Sequence, residues 1–218
     1  MRRVYALDKR GIIPEVLTAF TYLQFLKIDQ NYFTGPLPVF IGNLTALQLL
    51  SIAHNAFSGP IPPELGRLTA LTMLSLGSNN FSGTLPPELG DLVNLEQIYI
   101  NSCGAGGEIP PTFAKLRNMR IMWAADSPFT GKIPDFIGSW TQMTSLRFQG
   151  NSFEGPIPSS FSNLTSLTSL RISDIYNVSS SLDFIKNLKN LTDLSLRNAL
   201  ISGGIPTDIG EYRQLRTL

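Results

Sequence analysis

The amino-acid sequence predicts an α/β-type solenoid, a right-handed superhelix with a parallel sheet along its concave side and short 3₁₀ or extended segments along its convex side. Three columns of residues predict it. Asn31, Asn55, Asn79 and Asn151 recur at 24 residues or multiples of it (55 − 31 = 24; 151 − 79 = 72). Gly35, Gly59, Gly83, Gly107, Gly131, Gly155 and Gly203 keep the same spacing, and so do Pro38, Pro62, Pro86, Pro110, Pro134, Pro158 and Pro206. Self-similarity at a fixed period of about 20–50 residues marks stacked coils, each too small to bury its apolar face alone.

Within one coil each residue class has a mechanical reason. Leu50 and Ile52 alternate with Leu49 and Ser51, the period-two pattern of a short strand with one buried face, and stacked copies make a parallel sheet. Leu47, Phe57, Ile61, Leu65 and Leu68 complete the core layer. Asn55 stands where the chain leaves the strand, and its amide can donate to and accept from backbone groups of the adjacent coil that would otherwise be buried unpaired. Gly59 supplies a permissive backbone at the next bend, and Pro62, which has no N–H to donate, keeps the outer segment extended. Residues 63–68 then return as a short turn or 3₁₀ segment.

The resulting pattern, LxxLxxLxLxxNxFxGxIPxxLGxL in residues 45–68 and 69–92, resembles the plant-specific class of leucine-rich repeats. The resemblance covers residues 11–218, leaving 1–10 as a degraded partial repeat whose strand would fall at Arg2 and Val4. Residues 170–175 (LRISDI), 179–185 (SSSLDFI) and 190–198 (NLTDLSLRN) further resemble plant receptor-like kinases that carry a malectin-like domain after the repeats. This second resemblance implies a parent with a signal peptide, a membrane span and an intracellular serine/threonine kinase. Leu215 and Leu218 open a strand that stops at once, so both ends are expected to be uncapped and the natural solenoid to continue.

Net charge is only +1, from 17 basic and 16 acidic residues, which gives no global field toward nucleic acid or an anionic membrane. The longest mostly apolar stretches, such as residues 16–26, fall short of the roughly 18 residues that span a bilayer. Nor does the N-terminus hold the apolar run of about 7–15 residues that a signal peptide needs. Five sequons, at Asn43, Asn80, Asn163, Asn177 and Asn190, are acceptors for N-glycosylation and favour an extracellular life.

No catalytic motif is present. The Gly-rich loop, H-R-D and D-F-G of a kinase are missing, and Gly104-Ala-Gly-Gly107 reads as repeat glycine because Ile109 stands where a phosphate cradle would need a third Gly. His54 and Cys103 are the sole residues of their types, so no Cys/His metal-ligand spacing exists and no cofactor is expected. His54 falls on the open face of the sheet, and Cys103 occupies the Asn column.

The informative positions are those that point outward from the strands. One column runs Lys27, Ser51, Ser75, Tyr99, Trp123, Arg147, Arg171, Ser195, and the next runs Asp29, Ala53, Gly77, Asn101, Ala125, Gln149, Ser173, Arg197. The early half is small and uninformative, whereas Tyr99, Trp123, Arg147, Gln149, Arg171 and Arg197 are of the types that interfaces enrich. Asp126, Asp174 and Asp193 flank the arginines. Two coils depart from the pattern: residues 165–188 put Ile175 in the Asn column and Ser181-Leu182 in place of Ile-Pro, and residues 118–126 put Met119, Met122 and Ala124 at core positions. Eight Asn-column coils at about 4.8 Å each give a face roughly 35–40 Å long, the scale of a protein or peptide footprint. The expectation is therefore a non-catalytic, extracellular recognition module in a plasma-membrane receptor, binding a protein or peptide ligand and a co-receptor. A secreted inhibitor of cell-wall-degrading enzymes is the alternative binding role, and a serine/threonine kinase activity would reside in regions this chain lacks.

Overall fold

The computed structural model describes residues 7–217, so the strand expected at Arg2 and Val4, and Leu218, lie outside the described residues. Eight strands, Phe25–Lys27, Leu49–Ser51, Met73–Ser75, Gln97–Tyr99, Ile121–Trp123, Ser145–Arg147, Ser169–Ser173 and Asp193–Arg197, form one parallel sheet in chain order. Its register is the 24-residue column: Leu26 pairs with Leu50, Leu50 with Leu74, and so on to Leu170 with Leu194. The inward residues, Leu50, Ile52, Leu74 and Ile98 among them, are fully buried. They meet Leu47, Phe57, Leu65 and Leu68 in one continuous core, and burying each such side chain contributes about 1.5–3 kcal/mol. Met119, Met122 and Ala124 fill the same layer, fully buried.

The asparagine ladder forms as the backbone accounting requires. Asn79 Nδ2 donates to the carbonyls of Leu76 at 2.9 Å, Ile52 at 3.1 Å and Gly77 at 3.3 Å, while its Oδ1 accepts from the Phe57 N–H at 3.1 Å. Asn151 repeats the arrangement with Ala124, Phe148 and Phe129. At the two coils between them the column holds Cys103 and Ser127. Ser127 Oγ donates to the Ile100 and Ala125 carbonyls, whereas the Cys103 thiol donates to the Ala105 carbonyl of its own coil, at 3.8 Å.

The return path is 3₁₀ in nine places among the described residues, from Glu15–Ala19 through Pro63–Arg67 to Thr207–Glu211. Each of these but one follows a proline with extended backbone; the exception, Leu182–Ile185, follows Ser181, whose hydroxyl accepts from the Asp183 N–H. This is the coil where Ser181-Leu182 replaces Ile-Pro. The glycine after the segment's apolar residue has a packing reason: a Cβ on Gly90 would lie 2.5 Å from the Thr112 carbonyl oxygen of the next coil.

A second sheet went unanticipated. Arg10–Gly11, Tyr32–Pro36, Ala56–Pro60 and Asn80–Ser82 pair in parallel just beyond the ladder, and Thr130–Lys132 pairs with Ser152–Glu154. The residue before the ladder position takes positive φ, 53° at Gln30, His54 and Ser78, and this corner turns the chain into a new strand. His54 is exposed at that corner, on the rim of the sheet. Phe33, Phe57 and Phe81 stack behind the second sheet with centroids 6.1 and 6.4 Å apart, as do Phe129 and Phe153 at 6.3 Å. Between the two groups the phenylalanine stack lapses at Ala105, and the outer pairing is reduced to the isolated bridges Thr84↔Gly106 and Gly107↔Phe129.

Candidate interaction face

The strand register sets Tyr99, Trp123, Arg147 and Arg171 opposite one another in successive strands, and all four side chains are half-buried. The Tyr99 ring meets the Trp123 indole edge-on, with centroids 5.0 Å apart at 90°. The Arg147 guanidinium lies over the indole, its carbon 3.8 Å from the ring centroid. A cation desolvated against a Trp face gains about 0.5–2 kcal/mol. Hydrogen bonds pin the rings: Trp123 Nε1 donates to Ser145 Oγ and Tyr99 Oη to Gln97 Oε1, both at 2.9 Å.

Arg171 is held differently. Its Nε donates to Asp193 Oδ2 at 2.6 Å, and Ser169 Oγ donates to the same oxygen at 3.0 Å. The guanidinium is thereby drawn toward the next strand, away from Arg147. Burial would raise the Asp193 pKa, but the hydrogen bonds from Arg171 and Ser169 outweigh it and hold the carboxyl below its usual range. Of the other flanking acids, Asp174 accepts from Ser173 Oγ and Asn198 Nδ2, and Asp126 is exposed.

Arg147 has no carboxylate within ion-pair distance among the described residues. Burial and then the like charge of Arg171 lower its pKa, though an arginine remains protonated. Burial raises the Tyr99 phenol. Arg147 Nε and Gln149 Oε1 are enclosed without hydrogen-bond partners. Gln149 is half-buried and Arg197 exposed beside the stack. The five sequon asparagines, Asn43, Asn80, Asn163, Asn177 and Asn190, are all exposed, and Asn190 Nδ2 donates to the Thr165 carbonyl at 2.8 Å.

One outward column escaped the sequence reading: Phe25, Leu49, Met73, Gln97, Ile121, Ser145, Ser169 and Asp193, aligned by the same strand pairing. It lies at the other outward offset of the strand, where the alternation rule could have found it. No His/Cys/Asp/Glu cluster fit to hold a metal occurs among the described residues.

The chain carries leucine-rich repeats: the family profile described as Leucine Rich Repeat matches residues 46–68, 70–92 and 142–164. Comparison with curated proteins gives no match. Among solved structures, the chain is similar to the plant peptide hormone receptor RGFR1 in complex with RGF2, with 28% identity and a TM-score of 0.90 over 96% of this chain and 34% of that one. It is also similar to the ectodomain of the Arabidopsis receptor kinase HAESA in complex with an N-terminally extended IDA peptide hormone, with 30% identity and a TM-score of 0.91 over 96% of this chain and 35% of that one. A plant ice-binding protein is similar at 29% identity and a TM-score of 0.81, over 95% of this chain and 67% of that one. The chain thus spans about a third of the length of the two receptor structures.

Proposed function

We propose that this chain is a non-catalytic recognition module that binds a protein or peptide through the outward face of its eight-stranded sheet. It does so as one section of the extracellular part of a plant receptor kinase anchored in the plasma membrane. The observation that carries this reading is the Tyr99–Trp123–Arg147 stack, two rings and a guanidinium without a close ion-pair partner among the described residues, fixed side by side on an open face. Fixed aromatic and arginine groups lose little freedom on binding and dominate interface energetics. Similarity to a plant peptide hormone receptor in complex with RGF2 and to a receptor-kinase ectodomain in complex with a peptide hormone supports a peptide-sized ligand.

In the same proposal residues 11–218 form a stretch of a longer solenoid, the five exposed sequons carry glycans, and a malectin-like domain follows the repeats in the parent. The last point rests on the resemblance of residues 170–198 alone. Tyr99, Trp123, Arg147, Gln149, Arg171 and Arg197 are the proposed contact residues, and a co-receptor is a further proposed partner.

Selection of binding peptides from a random library against the secreted chain tests the face. Selected peptides should lose about tenfold or more in affinity for a Trp123→Ala, Arg147→Ala variant, the effect of removing a central anchor. If they bind that variant as tightly as the parent while changes at Ser51 and Ser75 abolish binding, the site lies at the other end of the sheet.

A further inference from the structure

The outward face divides along its length, and we infer that its ligand is an extended peptide divided in the same way, with apolar side chains in one half and carboxylates in the other. This rests on the reading of the face as the recognition surface and adds the ligand's chemistry to it.

Three outward columns define the face, and the first three strands fill them differently from the last three. In the first three the leading column is Phe25, Leu49 and Met73, with Phe25 41% exposed and the other two half-buried. The adjoining positions are small at Ser51, Ala53, Ser75 and Gly77, so the floor beside this apolar ridge is low. Lys27 and Asp29 balance each other in charge, and Asp29 is occupied in accepting from Ser51 Oγ and the Ala53 N–H.

In the last three strands the same nine positions hold no apolar side chain at all. They are Ser145, Arg147, Gln149, Ser169, Arg171, Ser173, Asp193, Ser195 and Arg197. Three guanidiniums face one carboxylate, and that carboxylate is committed to Arg171. Neither Arg147 nor Arg197 has an ion-pair partner among the described residues. Asp126 and Asp174 stand at the corner beyond the face, in residues of positive φ. Tyr99, Ile121 and Trp123 occupy the middle, where rings pack against either chemistry.

The two chemistries cannot serve one uniform ligand. A carboxylate laid over Phe25, Leu49 and Met73 would lose water with no donor to replace it, and an apolar chain laid over Arg147 and Arg197 would strip water from unpaired charges. A divided ligand avoids both costs, and a shifted or reversed one incurs them, so the division fixes register as well as affinity. From first to eighth strand the face is about 34 Å long, which an extended chain covers with about ten residues.

The probes are three ten-residue peptides of one composition: an apolar block before an acidic block, the reverse, and a strict alternation. They are titrated against the intact chain and against a Leu49→Ser, Met73→Ser variant, which places there the residue this column already carries at Ser145 and Ser169. One block peptide should bind about tenfold tighter than the alternating peptide, and the variant should erase that advantage. Equal affinity of block and alternating peptides overturns the division, as does a block preference that survives in the variant. So does failure of both block peptides to bind at about 1 mM, far weaker than a ten-residue footprint should give. If block and alternating peptides bind alike but both need Trp123 and Arg147, the division falls while the face stands. Binding indifferent to Trp123→Ala, Arg147→Ala removes the face itself.

Discussion

Replacing Asn79 by Ala should destabilise the chain about twice as much as the same change at Asn55, although the two occupy one ladder column. Asn55 donates to the carbonyls of Ile28, Ile52 and Ala53 and accepts from the Phe33 N–H. All three carbonyls have second donors: Ile28 from Asn31, Ile52 from Asn79 and Ala53 from the Gln30 N–H. Its loss therefore orphans only the Phe33 N–H. Asn79 shares the Ile52 carbonyl with Asn55 and the Gly77 carbonyl with the His54 N–H. No asparagine follows at Cys103, however, so the Leu76 carbonyl depends on Asn79 alone, as does the Phe57 N–H. At about 1–3 kcal/mol for each buried group left unpaired, Asn55→Ala should cost about 2 kcal/mol and Asn79→Ala about 4 kcal/mol. For a chain of this size the difference corresponds to about 4–8 °C in apparent Tm. Differential scanning calorimetry of both variants measures it, and equal Tm values, or a larger loss at Asn55, would refute the accounting.

Gly90→Ala should cost about 1–3 kcal/mol, because the new Cβ meets the Thr112 carbonyl of the next coil at 2.5 Å and neither backbone can retreat without opening the stack; urea titration with an unchanged midpoint would contradict this. The Arg171–Asp193 pair is partly solvated, so its contribution to stability is at most about 1 kcal/mol. Because the Asp193 pKa is depressed in the folded state, that contribution is present above the unfolded carboxyl value of about 3.9 and disappears as pH falls through the lower folded value. The stability gap between the parent and Asp193→Asn should accordingly close below about pH 4, and a gap constant from pH 2 to 7 would show that the carboxylate charge is not its source. Protein secreted from plant cells should lose mass on enzymatic deglycosylation, and peptide mapping should find the modified sites among Asn43, Asn80, Asn163, Asn177 and Asn190; an unchanged intact mass would remove the sequon argument for an extracellular location.

The sheet was legible because its register is arithmetic: residues that differ by 24 become Cα partners, and alternation decides which point inward. The ladder followed from asking where buried backbone groups find partners. The outer sheet was not legible, since its pairing depends on a corner of positive φ at Gln30, His54 and Ser78, residue types that announce no such turn. Column arithmetic brought Tyr99, Trp123, Arg147 and Arg171 together but could not apportion them. Arg171 leans to Asp193, which lies 22 residues on and in a different column, and so leaves Arg147 to the indole. Phe25, Leu49 and Met73 share the outward offset that alternation gives Leu49, but that column was not followed from strand to strand.

Four lapses fall on the same two coils: Cys103 and Ser127 in the ladder, Ala105 in the phenylalanine stack, and bare bridges where the outer sheet should continue. In a stack whose layers touch only their neighbours, cooperativity is transmitted layer to layer and is weakest where interlayer bonds are fewest. The outer side of the stack is thus bonded most thinly at these two coils, although the inner sheet and the core run through them unbroken, and amide exchange should be faster in residues 103–107 and 127–129 than at the matching positions of the coils before and after. The Tyr99–Trp123–Arg147 stack spans the same coils on the opposite side, so a ligand gripping it would also brace the thinnest stretch of the solenoid.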